Sequence, residues 1–178
     1  MRRLMLLRHA KTETNAASGR DIDRKLDERG TVDAAEIGQW LSQQPALPSR
    51  VLVSPAVRAR ETWNIVAKSV SPAPDTREVE ELYASSVSQL LAAIHEQGGD
   101  AATLMLVAHN PGLHELAISL SERNTSEPMR ALQDNLPTGA VAVIDFPVED
   151  WRDIHLQSGR LADLVSPKTL RIASREPS

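Results

Sequence analysis

The sequence predicts a three-layer α/β/α fold on a mainly parallel central sheet, and three observations carry that prediction. Leu4-Met5-Leu6-Leu7 and Leu104-Met105-Leu106-Val107-Ala108 are unbroken apolar runs, the pattern of strands buried on both faces. Val51-Leu52-Val53 is a shorter run of the same kind. Between the runs lie segments of helical period, and strands alternating with helices are what a parallel sheet with crossover helices requires. The chain has 178 residues and no repeat or low-complexity linker, so residues 1–178 read as a single domain with room for a sizeable core.

Composition narrows the function classes. A net charge of −4 supplies no basic footprint for nucleic acid. Cysteine is absent, which removes disulfides, thiolate metal sites and a cysteine nucleophile and agrees with a reducing compartment. The apolar run after Arg2-Arg3 is too short for a signal peptide, and no run approaches membrane-spanning length. The expectation is a soluble, cytoplasmic protein.

Taken in order, the first strand runs straight into Arg8 and His9. In open α/β sheets the carboxyl ends of the strands border the ligand crevice, so both fall where a site is expected. Lys11 to Lys25 is polar and irregular and reads as a long loop over that crevice. Asp27 then caps a helix whose buried face is Ala34, Ile37, Gly38 and Leu41. Pro45 and Pro48 bracket the connection to Val51-Leu52-Val53. Ser54-Pro55 reads as cap and first residue of a second helix, with Ala59, Thr62, Trp63 and Val66 on its inner side. Arg58 thus sits near the positive, donor-rich end of a helix, where an anion is favoured.

Thr76 to Leu82 is ambiguous between an edge strand and a loop. Val87, Leu90, Leu91 and Ile94 mark a third helix closed by Gly98-Gly99. The strand Leu104 to Ala108 ends in a second imidazole, His109, and Asn110-Pro111 opens a fourth helix with Leu113, Leu116, Ala117 and Leu120 inside. Ser121 to Pro137 is mixed and predicts no element. Ala140 to Phe146 predicts a strand, with Trp151 to Leu156 pairing beside it, and the polar end from Ser166 is expected to fray.

Strand ends and the second helix therefore direct Arg8, His9, Arg58 and His109 toward one crevice. Two arginines and two histidines there would make a pocket for a dianionic phosphoryl group, because the guanidinium fork matches phosphate oxygens. The plainer alternative is four scattered polar residues. Other motifs offer less: Asp21-Ile22-Asp23 mimics the paired aspartates of haloacid dehalogenase phosphatases but follows no apolar strand. His109 and His114 are five apart, off a common helical face for two zinc ligands, and no Gly-x-x-x-x-Gly-Lys exists for a P-loop. His95 and His155 read as ordinary surface or half-buried histidines. Trp40, Trp63 and Trp151 read as packing rather than a stacking platform.

Four motifs in order resemble one family. Arg8-His9-Ala10-Lys11-Thr12-Glu13-Thr14-Asn15 is similar to the RHG-x-T-x-x-N signature of the histidine phosphatase (phosphoglycerate mutase-like) superfamily, with alanine at the usual glycine. Leu26-Asp27-Glu28-Arg29-Gly30 resembles the leucine-threonine-x-x-glycine step that follows it, with aspartate for threonine. Ser54-Pro55-x-x-Arg58-Ala59-x-x-Thr62 resembles the second signature and Ala108-His109-Asn110-Pro111 the third. The Arg20 to Arg24 and Arg160-Leu161 stretches resemble the compact SixA-like phosphohistidine phosphatase branch.

The resemblance implies a phosphoglycerate mutase-like fold and metal-free phosphoryl hydrolysis without a cofactor. In it His9 forms a phosphohistidine intermediate, Arg8, Arg58 and His109 hold the phosphoryl oxygens, and Asn15 adds a weaker donor. Many members carry a carboxylic acid near the third edge segment, and Glu81 is the nearest candidate here. Little sequence separates the Arg58 helix from the His109 strand, which leaves no insertion to close over a metabolite. The expected substrate is therefore phosphohistidine on a partner protein. A small-molecule phosphomonoesterase and a non-catalytic phosphate-recognition module are the alternatives, and no membrane or nucleic-acid partner is expected.

Overall fold

The computed structural model describes residues 1–175. Its strands are β1 (Arg2–Arg8), β2 (Arg50–Val53), β3 (Asp75–Glu78), β4 (Thr103–Ala108), β5 (Val141–Phe146) and β6 (Arg160–Val165). The helices are α1 (Glu28–Ser42), α2 (Val57–Ala67), α3 (Val87–Gln97), α4 (Gly112–Leu120), α5 (Glu127–Asp134) and α6 (Pro167–Arg175). One sheet runs in the order β3-β2-β4-β1-β5-β6. The pairs β1–β4, β2–β4 and β2–β3 are parallel, and β5 is antiparallel to both its neighbours, so β5 alone runs against the rest. This is the expected α/β/α architecture of the phosphoglycerate mutase-like kind.

Side-chain alternation along the buried strands divides the interior into two layers. Leu4 and Leu6 of β1 and Leu104 and Leu106 of β4 pack with Leu90, Ile94, Leu113, Leu116, Met129 and Trp151, the inner faces of α3, α4 and α5 and their connections. Met5, Leu7, Met105 and Val107 point the other way, onto Ala34, Ile37, Leu41, Trp63 and Val66 of α1 and α2. Each fully buried leucine stabilises the fold by about 1.5–3 kcal/mol relative to exposure, so the apolar strand runs are the main source of cohesion. Their ends are consequently firm positions for chemistry.

Local signals place several boundaries. Asp27 caps α1, its carboxylate accepting from Gly30 N at 2.7 Å. Ser86 and Gln89 form a reciprocal capping box on α3. Gly30 is required for a different reason: a Cβ there would lie 2.0 Å from the Lys11 carbonyl oxygen, which also accepts from Asp27 N at 3.0 Å. The loop leaving β1 is thereby pressed onto the first turn of α1.

Five expectations need correction. Helix α2 begins at Val57, with Ala56 at its cap position and no capping side chain, so Ser54-Pro55 is not its start. Asn110 does not cap α4: its amide donates to Leu136 O at 2.9 Å, and Pro111 holds the cap position. Trp151–Asp153 is a 3-10 turn rather than a strand. The Trp151 indole is buried, donates to Ala101 O at 2.7 Å and lies so close to Gly98 that a Cβ there would meet it at 2.5 Å. The partner of β5 is instead β6, whose one-sided burial hides its period among charges. The mixed stretch after Ser121 contains α5, capped by Ser126 with only Met129 and Leu132 buried. The polar end forms α6, which Arg171 binds to Asp33 and Glu36 of α1. Thr76 to Leu82 resolves into the exposed edge strand β3 and a 3-10 turn, Glu80–Leu82. No helix among the described residues is long and apolar enough to cross a membrane.

Candidate active site

Three parallel strand ends deliver the cluster. At the end of β1, His9 N donates to Ala108 O at 3.1 Å, and Gly139 N lies 3.1 Å from Arg8 O and 3.0 Å from His9 O. Gly139 takes φ +75°, where a side chain would be strained, and this lets its amide turn back onto β1. Ala10, where the family signature has glycine, is fully buried against the α1–α2 layer, and its amide donates to Thr62 Oγ1 at 3.0 Å. The Thr62 hydroxyl in turn donates to Arg58 O at 2.7 Å. One threonine thus fixes the loop after His9 against the first turn of α2.

His9 is 6% exposed and its Nδ1 lies 2.8 Å from Ala10 O. A carbonyl only accepts, so in the neutral ring Nδ1 carries the proton and Nε2 keeps its lone pair. Burial lowers the pKa to about 4 against the opposing Ala10 bond, with further lowering by the charges of Arg58, Arg8 and Arg24. His9 is therefore a neutral imidazole at neutral pH, surrounded by arginines. A lone pair held next to concentrated positive charge suits a nucleophile for an anionic electrophile.

His109 lies beside it, ring centroids 5.2 Å apart, with Nε2 2.7 Å from Ser54 Oγ. Burial, then the charges of Arg58 and His9, lower its pKa to about 3. The Tyr83 ring meets His109 edge-on at 5.7 Å. Arg8 donates through Nη1 to Leu136 O at 3.2 Å, and burial followed by the Arg58 charge lowers its pKa. Arg58 donates to Asp21 O at 2.9 Å and Asp21 Oδ2 at 3.1 Å. Among the described residues, Arg8 Nε, Arg58 Nε and His109 Nδ1 are buried without a hydrogen-bond partner. The two unpartnered guanidinium N–H groups can only donate, and a group with several oxygens meets that demand best.

The other two predicted site residues, Glu81 and Asn15, stand at exposed positions. Glu81 is exposed and borders a groove with Val79, Gln89, Ala93 and Glu96, a set sharing no residue with the His9 cluster. Asn15 is exposed and borders an open hollow of about 230 Å³ with Thr14, Arg20, Asp21 and Arg24. The carboxylate at the cluster is Asp21, which accepts from Tyr83 Oη at 2.7 Å and Arg24 Nε at 3.0 Å as well as from Arg58. The Tyr83 hydroxyl and then Arg58 hold its pKa at about 2, so it is ionised. Arg24 also donates to Thr12 Oγ1 at 2.9 Å, and its charge reaches His9.

Sequence reasoning missed Ser54, Tyr83, Arg24 and the role of Asp21 at this cluster. The i,i+3 spacing of Asp21 and Arg24 and the solitary tyrosine were the available signals. His114 and His95 are occupied by Leu132 O and Ile154 O, away from the cluster. Among the described residues no three His, Cys, Asp or Glu side chains gather as a metal-ligand set.

The family model for the histidine phosphatase superfamily (branch 1) matches residues 4–143. A protein from Nakamurella multipartitia, provisionally named phosphohistidine phosphatase SixA, is 28% identical, with a TM-score of 0.80 over 93% of this chain and 96% of that one. A protein from Agrobacterium tumefaciens with the same provisional name is 27% identical, with a TM-score of 0.76 over 93% of this chain and 98% of that one. An uncharacterized protein of Mycobacterium tuberculosis is 31% identical over 164 residues, covering 91% of this chain and all (100%) of that one.

Proposed function

The chain belongs to branch 1 of the histidine phosphatase superfamily and is a phosphatase, and from that premise we propose that it hydrolyses phosphohistidine on a partner protein. The observation that carries the reading is His9, neutral, with Nε2 left unprotonated by the Nδ1 bond to Ala10 O and with Arg8, Arg24 and Arg58 around it.

His9 Nε2 attacks phosphorus in line, forming one N–P bond as the bond to the leaving ring nitrogen breaks, and that nitrogen takes a proton from solvent so that the substrate imidazole leaves neutral. Water then cleaves the His9 phosphoramidate and releases inorganic phosphate. Arg8, Arg58 and His109 hold the equatorial oxygens where negative charge concentrates, with Asn15 in the rim hollow as an auxiliary donor. Three arginines around His9 supply the positive charge that Mg²⁺ supplies in other phosphoryl-transfer sites, so the proposed reaction is metal-independent and uses no cofactor. The same reading takes residues 1–178 as one catalytic domain acting in the cytoplasm.

A protein substrate is supported by the short path from α2 to β4, which holds only β3, one 3-10 turn and α3. Phosphohistidine also needs little acid assistance, because its P–N bond is weaker than an ester linkage, and Glu81 is exposed and borders a separate groove. The test compares kcat/KM for a histidine-phosphorylated phosphotransfer domain with a panel of sugar and nucleotide phosphates. A clear preference for the protein, with an acid-labile label on His9, is expected. Preference for any metabolite would make it a phosphomonoesterase, and inertness toward all substrates a recognition module. EDTA is expected to leave turnover intact; a loss that added divalent metal restores would overturn the metal-free mechanism.

A further inference from the structure

Ser54 has no part in the mechanism above, yet it is fully buried at the carboxyl end of β2 and bonded to His109. Its Oγ accepts from Ala56 N at 3.3 Å and lies 2.7 Å from His109 Nε2. A hydroxyl has one proton and two lone pairs, and a neutral imidazole has one N–H and one lone pair, so the short contact can run in either direction. Among the described residues His109 Nδ1 is buried without a hydrogen-bond partner, which makes it the ring nitrogen left for a ligand.

The two directions have different consequences for an anion. With the proton on Nε2, His109 would donate to Ser54 and turn the Nδ1 lone pair on the ligand, repelling a phosphoryl oxygen. With the proton on Nδ1, Ser54 donates to Nε2 and His109 offers an N–H to that oxygen. The backbone amide of Ala56 keeps one Ser54 lone pair occupied, which leaves its proton to point elsewhere. We propose that Ser54 is a positioning residue that donates to His109 Nε2 and so holds His109 in the Nδ1–H tautomer needed to bind the phosphoryl group. The inference rests on the phosphatase reading with His109 as an oxygen ligand.

The test begins with the unaltered full chain, uniformly labelled with nitrogen-15, in which the imidazole resonances report the protonated nitrogen. The expected spectrum has His109 protonated on Nδ1 and bare at Nε2 at neutral pH; protonation on Nε2, or an equal mixture, overturns the proposal. Ser54→Ala is expected to lower kcat for an aryl phosphate by roughly 10- to 100-fold, somewhat less than deletion of a whole oxyanion donor, and to weaken orthovanadate inhibition in parallel. Ser54→Thr, which keeps the hydroxyl, is expected to recover most of the loss. In a His109→Ala background the Ser54→Ala change should add nothing, whereas an equal loss there would mean that Ser54 acts through the backbone of α2 alone and would overturn the proposal. Should Ser54→Ala fail to fold, the spectrum of the unaltered protein still decides. Absence of turnover in the unaltered protein would overturn the phosphatase reading, and the tautomer would remain decided by its own spectrum.

Discussion

The floor of the site and its rim are built by different means. Arg8, His9, Ser54 and His109 stand on the ends of β1, β2 and β4, where backbone hydrogen bonds and the two apolar layers hold them, and His9 and His109 are 6% and 8% exposed. The rim is a loop with a single 3-10 turn, Asp21–Asp23: the Asp21 carboxylate is 55% exposed, and side-chain bonds to Arg58, Arg24 and Tyr83 hold it. Partly exposed ion pairs of this kind contribute only about 0–1 kcal/mol each. On the proposed mechanism the chemistry falls to the floor, which is costly to move, while the rim is held by contacts that are easily adjusted.

The largest effect is expected at the floor. His9→Ala should reduce turnover to background, a loss of about 10⁴-fold or more, because no other group supplies the attacking lone pair. Orthovanadate binding should survive, since Arg8, Arg58 and His109 remain. Residual turnover near the unaltered level would remove His9 as nucleophile and dissolve the distinction between floor and rim.

The pH response comes next. With the pKa of His9 lowered to about 4, kcat/KM corrected for substrate ionisation should hold across neutral pH and fall as pH approaches 4, where the lone pair is protonated. A rate that climbs steadily on acidification would contradict this. Stability should follow the same sign. Both histidines titrate near 6.5 when unfolded and lower when folded, at about 4 for His9 and about 3 for His109, so the unfolded chain binds more protons between these values. Their contribution is intact above pH 6.5 and is lost as pH falls toward 3. Tm measured from pH 7 to pH 4 should decline, and a flat profile would show that the rings charge without cost.

Smaller effects belong to the rim. Asp21→Asn should change KM more than kcat, within about tenfold, and tighten orthovanadate binding by removing a negative charge that competes for Arg58. A collapse of kcat instead would place Asp21 in the chemistry. Glu81→Gln should leave kcat within about twofold, since the side chain is exposed and borders a separate groove. A loss of tenfold or more would identify Glu81 as the general acid.

Much of this molecule is written in local patterns. The apolar runs of β1, β2 and β4 and the inner faces of α1 to α4 follow from periodicity, because burial on one or two faces imposes a repeat that needs no knowledge of the partner. Arg8, His9 and His109 follow from position at strand ends, and Arg58 from its helix start. The amphipathic outer elements β6, α5 and α6 were obscured because each buries only a few residues among many charges. Ser54 illustrates the limit most clearly: Ser-Pro is a sound local cap signal, but the hydroxyl instead meets His109, 55 residues away. Asp21 and Tyr83 are 62 residues apart, and Glu81 is turned out although it is only two residues from Tyr83. Periodicity specifies which face of an element is buried, whereas the landing place of a loop depends on contacts between distant segments. The folded chain therefore decided which carboxylate stands beside the arginines, and the strand ends were already legible in sequence.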